Sequence, residues 1–257
     1  MQVPHRRQAS QHFFALATSG VSTLVEPKTQ PAVASHLLEL TLDAFRITHR
    51  AAQASAEGVA TASRVLLEEV RGLEQDLDSL DRDIDDLVTT TINRVPEDEA
   101  RTLLACMNFG ISLERIGDLL LSFVNRAESV AAHAEHEDIR DLTVMASQLE
   151  KMLADVEVAF RVRSLDKAVS VLRADNELDR LRNVITFRHL EPEGGMRSPD
   201  SFHVLFMAQE MERAGDHVKN IAEEVCHLVS GRTVRHVLRA YDRPVEQLFL
   251  DHLKNKP

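Results

Sequence analysis

The residues of this chain best suited to chemistry are carboxylates set four positions apart. Glu114 and Asp118 stand in L-E-R-I-G-D, and Glu212 and Asp216 stand in the near copy M-E-R-A-G-D. A second set precedes each of these: Glu74, Asp78, Asp81 and Asp85 in the first case, Asp175 and Asp179 in the other. On a helix, a spacing of four aligns two side chains one turn apart. Like charges so placed repel by on the order of a few tenths of a kcal/mol, and no lysine stands four residues on to relieve them. One such pair would read as ordinary solvated helix surface. Pairs kept on two helices of two copies invite a cation. Oxygen donors converging from two helices suit a hard or borderline divalent or trivalent metal, as one ion or a multinuclear cluster, with iron, zinc, manganese and magnesium as candidates. His217 would add a nitrogen donor or stand as an incidental surface imidazole. Arg115 and Arg213, between the acids, would neutralise spare charge.

The elements that must position these acids are helices. Leu66, Val70, Leu73, Leu77, Leu80, Ile84 and Leu87 step by four and three, the pattern of a helix with one buried stripe. The reading gives helices at 31–58, 59–95, 97–132, 137–163, 165–190 and 199–231, with a short seventh at 233–252 that carries Pro244. Pro96 ends the second helix, and the acidic P-E-D-E opens the third. Ser164 and Asp166 suit the start of the fifth. The stripe Phe109, Leu113, Ile116, Leu120, Phe123 and Ala127 matches Met207, Met211, Ala214, Val218, Ile221 and Val225 at one constant shift. Leu77, Leu80 and Ile84 match Leu178, Leu181 and Ile185 in the same way. The chain is therefore a repeated unit: all-α, two tandem bundles of three antiparallel helices. The expected boundaries are a leader at 1–30, repeats at 31–133 and 134–232, and a C-terminal segment at 233–257. Gly117 and Gly215 would let helices approach closely.

Composition supports this reading and excludes others. Aromatic residues are 4%, tryptophan is absent, and the 257 residues carry few glycines and prolines, a balance that suits Leu/Ala/Val-rich helices better than sheets. A formal charge of −11 argues against nucleic acid as the main partner, because phosphate contacts need a basic face. Cys106 and Cys226 lack metal-site spacing and read as small buried hydrophobes of a reducing, cytoplasmic compartment. The apolar run after His5-Arg6-Arg7 is broken by Thr18, Ser19, Gly20, Ser22 and Thr23, so a leader helix or frayed tail is expected rather than a secretion signal. No run approaches the ~20 apolar residues of a membrane span. For an enzyme, a di-iron bundle needs E-x-x-H on two helices, and only Glu224 to His227 has that spacing. Gly-rich phosphate loops, G-x-S-x-G and paired protease histidines are absent from the sequence. A non-enzymatic protein is expected, either binding metal or meeting a basic partner directly with its acidic face. Leu104 and Leu121 would suit an interface, a homodimer included, or pack within a bundle.

The segment E-R-A-G-D-H-V-K-N-I-A-E-E-V at 212–225, followed by L-V-S-G, resembles the hallmark of the PhoU family. E-Q-D-L-D-S-L-D and D-N-E-L-D-R-L resemble that family's preceding-helix motif. The resemblance covers both repeats, about 32–235. It implies tandem three-helix bundles with multinuclear metal clusters on their surface, held here by Glu74, Asp78, Asp81, Glu114 and Asp118, and by Asp175, Asp179, Glu212 and Asp216. It also implies an accessory, negative regulator of phosphate uptake that bridges the ATPase of a phosphate transporter and a sensor histidine kinase, peripheral to the membrane through those partners. Three departures stand out. P-E-D-E-A-R replaces the family's D-L-R after the first-repeat proline, which brings this half closer to the PhoU-like domain of sodium/phosphate cotransporters. Leu119-Leu120-Leu121 in the first repeat faces His217-Val218-Lys219 in the second, and Arg182 stands where the first repeat has Asp81, so the second cluster is expected to have fewer ligands or fewer ions.

Overall fold

The computed structural model describes residues 31–130, 133–190, 198 and 200–230. The leader and the expected seventh helix lie outside them. Every regular element among the described residues is helical: α1 Pro31–Thr61, α2 Arg64–Thr91, α3 Glu97–Val130, α4 His136–Arg161, α5 Leu165–Ala174, α6 Asn176–His189 and α7 Ser201–Ser230. A 3-10 turn at Ile92–Arg94 separates α2 from α3. No described helix is long and apolar enough to cross a membrane.

α1, α2 and α3 form one antiparallel bundle, and α4, α5–α6 and α7 form the other; the two meet along α1–α4 and α3–α7. α1 can sit at the centre because its buried face is built of small residues, Ala44, Ala51, Ala52 and Ala54. Three hydroxyls are buried with them, and each is satisfied within the helix: Thr41, Thr48 and Ser55 donate to the carbonyls of Leu37, Ala44 and Ala51 at 2.8 Å. Phe45 of α1, Phe109 of α3 and Phe160 of α4 pack ring to ring with centroids 4.9–6.2 Å apart, so both bundles share one core. Glu210 of α7 accepts hydrogen bonds from Ser122 and Arg126 of α3 and ties the halves together outside that core.

Most helix ends fall within a few residues of the expected ones, the second helix ending at Thr91 rather than 95, and two junctions differ in kind. α1 runs through the small-residue stretch around Gly58 to Thr61, because alanine there favours helix and Gly58 has no Cβ to strike Leu67, which would lie 2.7 Å away. The break falls instead at Ala62, in the left-handed region with φ 52°, followed by Ser63, whose hydroxyl caps α2 at Leu66 N–H. Arg163, with φ 53°, and Ser164, which caps α5 at Lys167 N–H, repeat this turn at the same shift that relates Leu77 to Leu178. The single helix expected at 165–190 is broken into α5 and α6 at Asp175. There the Ala174 carbonyl accepts from Gln148 of α4 at 3.2 Å, and Leu178 N–H turns to the Asp175 carbonyl at 3.0 Å.

Candidate metal centre

The acids are placed by two seams of close helix approach. Where α2 crosses α3, the missing side chains of Gly110 and Gly117 let it come near. A Cβ on Gly117 would lie 2.8 Å from Leu77 Cδ1 and 3.9 Å from Glu74 Cγ, and one on Gly110 would lie 3.0 Å from Asp81 Oδ1. Glu74 and Asp81 thus lean over the α3 backbone, beside Glu114 and Asp118 of α3 itself. The second seam is built alike. A Cβ on Gly215 of α7 would overlap Leu178 and lie 3.2 Å from Asp175 Oδ1. The glycine spacing foreseen at Gly117 and Gly215 is what the fold uses; Gly110 is a further member.

Electrostatics show that the acids of each seam share one field. Burial raises the pKa of Glu74, and Asp78 and Asp118 add to the rise. Burial also raises Asp81, with Asp85 and Asp78 adding to it, and Glu114, with Asp118, Asp81 and Asp78 adding to it. Only Arg115 works against these last two shifts. It is largely exposed and reaches Asp118 at 3.1 Å and Glu114 at 3.5 Å from the outer side of the same helix.

In the second seam Asp175 is 4% exposed and its pKa is raised by burial, with Lys219 pulling it back. Lys219 Nζ donates to Asp175 Oδ2 at 2.8 Å. Burial works against the ammonium, yet Asp175 and the field of Asp216 and Asp179 outweigh it and raise the Lys219 pKa. Arg182 stands 3.2 Å from Asp179 and 3.7 Å from Glu212, and Gln209 donates to Glu212 at 2.6 Å. Burial raises Glu212, and Arg182 opposes the rise.

The nine acids thus fall into two groups, each drawn from two helices as the sequence pattern requires. Among the described residues, no three carboxylate, imidazole or thiol groups stand together at ligating distance. The donor chemistry of the first group fits a hard or borderline cation: half-buried carboxylates, mutually repelling, over a backbone cleared by two glycines. Asp85 is exposed. His217 does not face the α6–α7 seam. It lines a groove on the α3 side with Asn108, Ser112, Asn220 and Glu224, and burial, with Arg213 and Arg115 nearby, lowers its pKa. Leu104 is exposed, whereas Leu121 packs partly buried against the core.

A buried polar network at the far end of the second bundle has no motif to announce it. His189 lies between Asp138, 3.0 Å from Nε2, and Ser201, 2.8 Å from Nδ1. Arg188 pairs with Asp138 and Asp141. Asp, His and Ser in sequence could be mistaken for a hydrolase triad. Here Asp138, His189 and Ser201 are 1%, 3% and 0% exposed, and Ser201 Oγ also accepts from Ser198 N–H at 3.0 Å. That hydroxyl is closed to solvent. The network locks the start of α4 and α7 to the end of α6. The only sequence signal for it is polarity in the apolar register: His189 and Ser201 stand where the first repeat has buried Val88 and Leu103.

The family model for the PhoU domain matches the chain twice, at residues 41–127 and 142–225. The chain belongs to the PhoU family. Among curated PhoU relatives, the phosphate-specific transport system accessory protein PhoU homolog of Pseudomonas aeruginosa is 28% identical over 216 residues, covering 80% of this chain and 85% of that protein. The homolog of Zymomonas mobilis is 26% identical over 201 residues, covering 76% and 84%. Crystal structures of PhoU share the fold. PhoU from Pseudomonas aeruginosa superposes with a TM-score of 0.69 at 23% identity over 78% of this chain and 99% of that one. The phosphate transport system regulatory protein PhoU from Streptococcus pneumoniae gives 0.70 at 20% identity, over 78% and 97%.

Proposed function

We propose that this PhoU-family chain is a non-enzymatic, metal-binding, negative regulator of phosphate uptake and phosphate-starvation signalling. In this reading it acts in the cytoplasm between a phosphate transporter and a sensor histidine kinase. The observation that carries the metal part is the α2–α3 seam, where Glu74, Asp78, Asp81, Glu114 and Asp118 share one repulsive field that the exposed Arg115 only partly relieves. These residues would hold the ion or cluster. Bound metal would supply the positive charge that the seam lacks, joining α2 to α3 and presenting a surface whose charge depends on occupancy. The role in phosphate transport rests on the two PhoU-domain matches and on relatives named as accessory proteins of the phosphate-specific transport system. The transporter partner would be the ATPase subunit of an ABC-type system. The departure at P-E-D-E-A-R favours testing a sodium/phosphate cotransporter beside it.

The test is co-purification of the chain with the transporter ATPase, the cotransporter and the kinase, before and after chelation. Loss of one complex on chelation, reproduced by Glu114→Gln/Asp118→Asn and reversed by added metal in the parent alone, is the expected result. Complexes indifferent to chelator and weakened only by salt would instead make the acids an electrostatic docking face for a basic partner.

A further inference from the structure

The resemblance assigns metal to both repeats, but the residues of the second seam do not fit it. We infer that in the second repeat protein-borne cations take the place of metal: Lys219 for Asp175, and Arg182 for Asp179 and Glu212, so that this chain loads metal in its first repeat alone. The inference rests on the metal reading of the first seam. Three observations carry it.

The first is register. Lys219 stands where the first repeat has Leu121, and Arg182 where it has Asp81, so two positions facing the same seam have both changed toward positive charge. The second is contact. Asp175, the buried member of the group, gives an oxygen to Lys219 at 2.8 Å, and Arg182 lies between an acid of α6 and an acid of α7 at 3.2 Å and 3.7 Å. Its guanidinium bridges the seam as a cation should. A metal entering here would have to displace both groups and would then face their charge. The third is the contrast with Arg115. That residue is more than half exposed and approaches its acids from outside, so it can swing away without uncovering a buried charge. Lys219 cannot leave without stranding a buried aspartate.

The experiment counts metal. Parent protein, Glu114→Gln/Asp118→Asn, Glu212→Gln/Asp216→Asn and Lys219→Leu/Arg182→Asp are stripped, reloaded with Mn2+, desalted and analysed by elemental mass spectrometry, with circular dichroism to confirm folding. The first acid pair is expected to abolish bound Mn2+ and the second to leave it unchanged. Lys219→Leu/Arg182→Asp, which gives the second seam the residue types of the first, should raise it about twofold. Loss of about half the metal in Glu212→Gln/Asp216→Asn would overturn the inference, as would an unchanged content in the folded Lys219→Leu/Arg182→Asp variant. Should the parent bind no Mn2+, the metal reading of the first seam falls and the second seam is decided separately by Lys219→Met. Added Mn2+ raising that variant's melting midpoint but not the parent's would uphold the replacement of metal by lysine. Mn2+ leaving both midpoints unmoved would refute it.

Discussion

The two halves of the molecule bring a helix down onto a glycine in the same way, yet they treat the charge caught in the seam differently. In the first half Glu74, Asp81 and Glu114 are left with each other and one outward arginine. In the second, Asp175 is buried beside a lysine and Glu212 faces an arginine. The far ends differ in the same sense. Val88 and Leu103 close the first bundle with hydrocarbon, whereas His189, Ser201, Asp138, Arg188 and Asp141 close the second with paired polar groups. One backbone plan thus carries a seam that one exposed arginine only partly relieves on one side and an internally compensated half on the other. The first holds its acids against mutual repulsion, and the second pairs them with cations of its own.

The contrast between the two ends can be broken most forcefully at Asp138. Asp138→Ala takes the carboxylate from buried His189 and leaves Arg188 with Asp141 and Glu137, and breaking this buried pairing should destabilise the protein by about 3 kcal/mol in urea denaturation. Val88→Ala, at the equivalent apolar end, should cost about 2 kcal/mol, the ordinary loss for a buried methyl pair. Equal losses would mean that the polar end contributes no more than packing. At the seams, Gly215→Ala should cost about 1–3 kcal/mol by overpacking. Gly117→Ala should cost less, because Leu77 lies farther from the added methyl than Leu178 does. Thermal melts of the two variants order the seams, and a larger loss at Gly117 would reverse the comparison.

The smallest effect is in pH. Folded Glu74, Asp81 and Glu114 hold their protons more tightly than the unfolded chain does. In metal-free protein, stability therefore rises as pH falls from neutral through their raised pKa values, toward the ordinary 4.5 of glutamate and 3.8 of aspartate. Asp141 acts in the opposite sense and lower. Arg188 and Arg140 outweigh its burial and hold its pKa down, so its contribution is present above 3.8 and is lost as pH falls through the folded value. Glu114→Gln should remove on the order of a few tenths of a kcal/mol of the gain between pH 7 and pH 5. Glu212→Gln, with Arg182 already opposing its shift, should remove less. Melting midpoints in chelator at the two pH values measure both, and identical slopes in parent and Glu114→Gln would sever the link to this seam.

Much of the site was legible because helix geometry is local. Spacing of four put Glu114 above Asp118 and Glu212 above Asp216, and the constant shift between stripes paired the helices before any coordinates. Gly117 and Gly215 were readable for the same reason, as small residues recurring beside the acids. The turns were less so: the small residues around Gly58 look like a break, although Ser63 sits at the repeat shift from Ser164 and marks the true one. The division of α5 from α6 was hidden altogether: no glycine or proline marks Asp175, and the Gln148 side chain that meets the Ala174 carbonyl comes from 26 positions away in sequence.

The sequence by itself determined the all-α class, the doubling of the bundle and the alignment of the acids. Hydrophobic period and charge spacing act within a few residues and need no partner to be read. Tertiary structure decided which of those acids remain uncompensated. Lys219 comes 44 positions after Asp175 and Arg182 comes 30 before Glu212, and only the approach of α7 to α6 brings them within 2.8 Å and 3.7 Å. It likewise decided that His217 turns to the α3 groove and that Ser201 meets His189. Coulomb and hydrogen-bond energies depend on distance and burial, and those quantities exist only once the helices have packed.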